Sequence, residues 1–158
     1  MGYQTDFSGE WEITPPLTEE HREFLVKFNE TRRVARDVDS KYGVEGEWYV
    51  DGTGPYGQDH DETVISSDPP SPQPGLWCQW VPNEKGDHYG WDGNEKFYDY
   101  IKWIKYLVEN WFKPRGYTLD GRVSWFGEER GDMGRIDIDR NNITVAHAVD
   151  VTFEYETE

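Results

Sequence analysis

The chain is short of cysteine, of basic residues and of long apolar runs. Cys78 is the single cysteine among 158 residues, which excludes an intramolecular disulfide and a cysteine-built zinc site. Sixteen Lys and Arg stand against thirty-two Asp and Glu, a net charge of −16. That field repels phosphate backbones and anionic headgroups, so non-specific nucleic-acid binding and membrane-surface binding are not expected. No stretch approaches the ~18 consecutive apolar residues of a membrane span. The opening MGYQTDFSGEWE has neither the basic start nor the apolar run of a secretory leader. Asp6 occupies the place where N-myristoylation requires Ser or Thr. The expectation is a cytoplasmic protein, and no motif demands a cofactor.

Rings are what the chain has in quantity. Eight Trp, ten Tyr and seven Phe make up 16% of it, against a mean hydropathy of −0.94. Large rings bury much area per residue, so one domain spanning 1–158 can close a core despite its polar average.

Alternation over 6–14 predicts a strand stopped by Pro15-Pro16. Thr18 is placed to cap a helix running to about Arg36, with Phe24, Leu25, Phe28 and Ala35 on one face. Acids in its first turns and Arg32, Arg33 and Arg36 in its last match the helix dipole. GEWYV, 46–50, reads as a short strand. A long acidic loop rich in Gly and Pro follows, 51–75. Two short strands, 75–81 and 87–91, flank a hairpin turn. A second helix runs from Gly93-Asn94 to about Lys113, where Pro114 and Gly116 end it. Its apolar stripe is widened by Tyr100, Trp103, Tyr106 and Leu107 beyond a single face. Leu119, Val123 and Trp125 alternate with polar residues, Ile136 and Ile138 with Asp137 and Asp139, and Asn141-Asn142 makes a turn. A last strand runs from Ile143 to Tyr155, with His147 on its apolar parity as a core histidine; its length allows pairing across a homodimer. The fold class is α+β, a layer of mainly antiparallel sheet with two helices on one face, a ferredoxin-like elaboration being one version.

Two motif matches fail on mechanism. Gly52, Gly54 and Gly57 fit G-x-G-x-x-G, but Pro55 removes an amide, acids follow, and no helix opens to receive a pyrophosphate. DIDRNN, 137–142, starts like a calcium loop and then lacks its glycine and its closing glutamate. Asp59, His60, Asp61 and Glu62 form a denser set. Asp59, Asp61 and Glu62 are weak candidates to ligate a divalent cation, needing further oxygens from Glu128, Glu129 or Asp132; solvated loop acids explain them more simply. Cys78, on the parity of Leu76 and Trp80, reads as an inert buried thiol. Nothing marks a catalytic residue.

Charge is segregated. From Tyr42 to Glu84 there is no Lys or Arg and there are eight acids, among them Asp51, Asp59, Asp61, Glu62 and Asp68. Trp77, Trp80 and Trp91 close this segment. Trp77 and Trp80 have opposite parity, so a regular strand sends one inward and one outward.

PPSPQPGLWCQWVP (69–82), WDGNEKFYDYIKWIKYL (91–107) and GRVSWFGEERGDMGRI (121–136) resemble a set of small bacterial and bacteriophage proteins with no established activity. The resemblance implies an intracellular protein and carries over no catalytic residue. Three functions fit the sequence. The leading one is an acidic interaction protein engaging a basic partner, a host protein if the source is a phage, through Trp77, Trp80, Trp91 and the neighbouring acids. The second is a small-molecule binder that stacks a nucleotide or sugar on the aromatic platform beneath a loop lid. The third is a metal-dependent hydrolase.

Overall fold

Residues 2–50 and 62–149 are described by the computed structural model. Asp51, Asp59, His60 and Asp61, the glycine motif at 52–57 and the strand extension at 150–158 lie outside those residues. Along β1 (Thr5–Thr14), Trp11 and Ile13 are buried while Asp6, Glu10 and Glu12 are exposed, the alternation of a strand with one wet face. Thr18 accepts a hydrogen bond from the His21 amide at 3.2 Å and caps α1 (Glu19–Glu30). The chain then forms β2 (Trp80–Pro82), β3 (His88–Trp91), α2 (Tyr100–Leu107), β4 (Thr118–Gly127), β5 (Met133–Asp139) and β6 (Asn142–His147).

All neighbouring strands are antiparallel, in the order β2-β3-β1-β4-β5-β6. The run β1-α1-β2-β3-α2-β4 with β1 between β3 and β4 is the ferredoxin-like arrangement, and the β5–β6 hairpin extends it beyond β4. Both helices cover one face. There Leu25 and Phe28 of α1 and Trp103, Ile104 and Leu107 of α2 meet Trp11, Leu119, Val123, Trp125 and Ile136 of the sheet. Each such side chain contributes about 1.5–3 kcal/mol on burial. The other face carries Glu10, Glu12, Arg122 and Asp137 and remains exposed or half-buried.

Four expected elements differ, the first being the strand expected at 75–81, which is paired only over Trp80–Pro82. α1 stops at Glu30, because the Thr31 hydroxyl donates back to the Lys27 carbonyl at 2.6 Å and its backbone turns extended. GEWYV forms no strand: Val44–Gly46 is a 3₁₀ turn, and the backbone around Trp48 closes locally, its amide donating to the Tyr42 carbonyl at 2.8 Å. The second helix begins at Tyr100 instead of Gly93-Asn94, with Asp99 as its N-cap. It then widens into a π turn, Val108–Phe112, and ends in a 3₁₀ turn at Lys113–Arg115 and Gly116. The β5–β6 turn is made by Arg140 and Asn141, both at positive φ (46° and 70°), one residue earlier than expected. His147 is exposed, not core; its ring meets the edge of Trp125 at 5.2 Å.

The arginines expected on the last turn of α1 lie beyond the helix, and two are interior. Arg33 and Arg36 are each 2% exposed. Arg33 donates to the carbonyls of Tyr49 (2.7 Å) and Glu47 (2.9 Å) and to Gln73 Oε1 (3.4 Å), with its guanidinium 4.2 Å from the Phe28 ring centre. Burial lowers its pKa to about 9. Arg36 lies over the Tyr49 ring and donates to Thr63 Oγ1. Satisfying backbone carbonyls with fixed donors lets segments without helix or strand pack as interior.

Candidate functional site

The stretch Gly75–Gly93 divides three ways in the fold. Trp80, in β2, is fully buried; its indole N–H donates to the Tyr100 carbonyl at 3.0 Å, and its ring meets Trp11 at 4.8 Å and Phe7 at 5.2 Å. Trp91 is half-buried against Phe7 and donates to the Asn94 carbonyl. Trp77 precedes β2 and has no ladder partner, so strand parity does not govern its direction. It forms part of the wall of a recess. Cys78, between them, is fully buried, and burial pushes its thiol pKa up to about 12, the inert thiol expected.

The recess measures about 350 Å³ and lies where the chain enters β2 and α2. Leu76, Trp77 and Gln79 line it together with Lys96, Tyr98 and Asp99. Its walls are tied from several directions. Asn29 of α1 donates to the Cys78 carbonyl (3.0 Å) and to Asp92 Oδ2 (2.9 Å). The Gln79 amide nitrogen donates to the Glu95 carbonyl at 3.1 Å. From the N-terminal segment, Gln4 Oε1 accepts from the Lys96 amide (2.8 Å), and the Tyr3 amide donates to the Tyr98 hydroxyl (3.1 Å). Lys96 and Asp99 adopt left-handed backbone, φ 59° and 58°. Such conformations cost on the order of 1 kcal/mol each and collect at binding sites.

Polar groups of this region are left without partners. Trp103 is fully buried, yet its Nε1 donor has no hydrogen-bond acceptor among the described residues. Gln79 Oε1 is likewise buried and unpartnered. A Cβ placed on Gly75 would stand 3.5 Å from Trp103 Nε1 and 3.6 Å from Asp99 Oδ2, its only neighbours within 4 Å among the described residues beyond those adjoining it. The Asp99 carboxylate makes no cap hydrogen bond to α2. A buried donor left unmade costs about 1–3 kcal/mol, so the interior behind Gly75 holds hydrogen-bonding capacity that the described residues do not use.

The other expected residues are dispersed. Glu62 and Asp68 are exposed. Within the same base-free segment, Glu47 accepts from the Tyr106 hydroxyl (2.6 Å) and Glu45 from the Ser71 amide (3.1 Å), so part of its charge serves internal contacts. Among the described residues no three His, Cys, Asp or Glu side chains gather to hold a metal. Asp132, one of the expected helpers, accepts from the Tyr3 hydroxyl (2.6 Å) and Trp125 Nε1 (3.1 Å).

A second hollow of about 270 Å³, between Phe24, Trp48 and Trp111, is bordered by His21, Lys41 and Arg115. There His21 Nδ1 is 2.7 Å from the Tyr117 hydroxyl, and Arg115 lies over Trp111 while donating to its carbonyl. Among the described residues that line it, none has a buried polar side-chain atom without a partner.

Of the residues that border the recess, the sequence singles out Trp77 but not Gly75, Gln79, Tyr98 or Asp99. The signal available was the excess of rings on the second helix: Trp103 lies off its main stripe. No protein-family model matches the chain, and no curated protein and no solved structure matches it. No helix among the described residues is long and apolar enough to cross a membrane.

Proposed function

We propose that this chain is a binding protein whose small-molecule ligand enters the recess beside Trp77. The observation that carries the reading is the buried, unpartnered indole N–H of Trp103 behind Gly75. The left-handed Asp99 adds an acceptor, and the Trp77 and Tyr98 rings add apolar wall. Concave sites with a few convergent polar groups on an apolar lining are where small ligands bind. The test is a thermal-shift screen of nucleosides and sugars. A ligand at about 100 times its dissociation constant stabilises the fold by roughly 2.7 kcal/mol. A flat melting curve across both classes would count against the reading.

A second reading rests on charge. The net −16, with Asp6, Glu10 and Glu12 exposed along β1, favours a basic protein as partner. Capture of basic proteins that disappears as salt is raised supports that reading; salt-independent capture opposes it.

A further inference from the structure

We infer that the hollow between Phe24, Trp48 and Trp111 binds a small aromatic carboxylate, at a site separate from the Trp77 recess. Helix spacing builds one wall: Glu20, His21 and Phe24 lie within about one turn of α1. Lys41 comes from the 3₁₀ turn Ser40–Tyr42, and Arg115 from the 3₁₀ turn that ends the second helix. Trp111 lies in the π turn Val108–Phe112, a widening that recurs at functional sites. Phe24 stacks on the buried Trp111 at 5.8 Å between ring centres. Phe24 and Trp48 are half-buried and line the hollow, so both rings keep surface in it.

Charge singles this hollow out. In a chain with 32 acids and 16 Lys and Arg, its lining carries Lys41 and Arg115 against Glu20 alone. Neither cation has a carboxylate partner among the described residues. The Lys41 ammonium rests 5.0 Å from the Tyr42 ring centre. Arg115 is held in place: its guanidinium lies 4.8 Å from the Trp111 ring centre, and Nη1 donates to the Trp111 carbonyl at 3.2 Å. That leaves open its Nε and Nη2 edge, the one with which Arg22 grips Glu19 and Arg122 grips Asp137. Such an edge takes a carboxylate through two parallel bonds. Desolvation lowers the Arg115 pKa, as befits a cation with less water around it and no counter-ion.

The class of ligand follows from these parts. Ring walls around about 270 Å³ suit one small, flat, apolar body. An arginine fork and a lysine on the same lining suit one carboxylate. Glu20 and the −16 of the whole chain oppose a phosphate ester or a polyanion. A neutral ring leaves the Arg115 edge unused. The experiment is calorimetric titration with 2-naphthoate, its neutral analogue 2-naphthamide, and acetate, with circular dichroism confirming the fold of each variant. Glu20, Lys41 and Arg115 are exposed, so Glu20→Gln, Lys41→Gln, Arg115→Gln and Arg115→Lys leave the core intact.

The inference expects saturable naphthoate binding, with naphthamide and acetate at least about tenfold weaker. Arg115→Gln weakens naphthoate by as much, a loss of about 1.4 kcal/mol, and Arg115→Lys restores only part, because an ammonium lacks the fork. Lys41→Gln weakens it severalfold, more at low salt than at high, and Glu20→Gln tightens it. Naphthamide binding as tightly as naphthoate overturns the carboxylate assignment. Naphthoate affinity unchanged in Arg115→Gln, or lost in Trp77→Ala, places the ligand elsewhere and overturns the site. A wild type that binds no naphthoate, by calorimetry or by shifts of the His21 ring protons, overturns the inference and leaves the Trp77 recess to its own screen.

Discussion

The guanidinium of Arg33 donates to the main-chain carbonyl of Tyr49 at 2.7 Å, across sixteen residues of sequence. The same fork reaches the Glu47 carbonyl, and Gln73, which also contacts Glu47 and Tyr106, borders it. One buried cation thus anchors 46–50 and the segment around Gln73 against Phe28 of α1. Arg33→Met removes the donors and leaves the Tyr49 carbonyl and Gln73 Oε1 without that bond, while the Glu47 carbonyl keeps its bond from Gln73 Nε2. The expected loss is at least about 2 kcal/mol in chemical denaturation, since each unsatisfied group costs about 1–3 kcal/mol. Arg33→Lys should rescue little, because an ammonium cannot reproduce the planar fork. Full stability in Arg33→Met would show that the network is ornamental.

Two fully buried tryptophans, Trp80 and Trp103, give a matched pair. Trp80 Nε1 is bonded to the Tyr100 carbonyl, whereas Trp103 Nε1 has no partner among the described residues. Both are fully buried. Without ligand, Trp103→Phe loses packing but relieves an unmade hydrogen bond; Trp80→Phe loses packing and a made hydrogen bond, the Tyr100 carbonyl keeping its helical partner. Trp80→Phe should therefore be the more destabilising by about 1–3 kcal/mol, read from urea midpoints. Equal losses would mean that the Trp103 donor is satisfied in solution.

Much of this fold was legible and much of the site was not, for one physical reason. Periodicity reports how a regular element faces its core, and it placed β1, α1, the β2–β3 hairpin and β4 through β6. It has no purchase on backbone held by side-chain donors. The Arg33 and Arg36 cluster looked like dipole complement because helix-forming residues surround it, and only the Thr31 back-bond, a local competition, ends α1 early. The recess is built where the chain enters β2 and α2, from Gln79, Asp99 and a glycine, residues that carry no repeating signal. Trp77 was visible as a ring, but its direction depended on a strand that starts three residues later.

Close approach at one glycine yields a third prediction. Gly134 of β5 lies opposite Trp125, whose ring occupies the space a side chain would need. A Cβ there would overlap that ring and the Ala146 carbonyl of β6. Gly134→Ala must displace either core or ladder, an overpacking worth about 1–3 kcal/mol. Near-ultraviolet circular dichroism should change with it, as Trp125 also contacts Tyr100 and His147. An unchanged melting temperature would refute this packing.

Cys78 offers a chemical readout of opening. Its thiol is fully buried, and desolvation raises its pKa to about 12, so almost no thiolate exists at pH 8. Native protein should resist a thiol-specific disulfide reagent for as long as the fold stays closed, then react once per chain in denaturant. Prompt labelling of the native state would mean that the segment before β2 opens easily, and would weaken the case for a preformed recess.

The last prediction concerns pH at the open sheet face. His88 of β3 bonds Asp87 Oδ1 at 3.0 Å, which raises its pKa; Glu10 and Glu12 on the neighbouring β1 add in the same direction. Asp87 is shifted down, first by its bond from Asn83 and then by His88. A raised histidine stabilises the fold fully below its unfolded value, about 6.5, and that contribution is lost as pH rises through the folded pKa. The lowered aspartate acts oppositely, stabilising above its unfolded value and failing as pH falls through the folded one. Both groups are about a third exposed, so screening keeps the effect small and the ring itself is the better probe. Proton NMR should show His88 titrating above 6.5, and Asp87→Asn should bring it down while Glu12→Gln moves it less. A larger response to Glu12→Gln than to Asp87→Asn would show that the field of the sheet, not the hydrogen bond, sets this histidine.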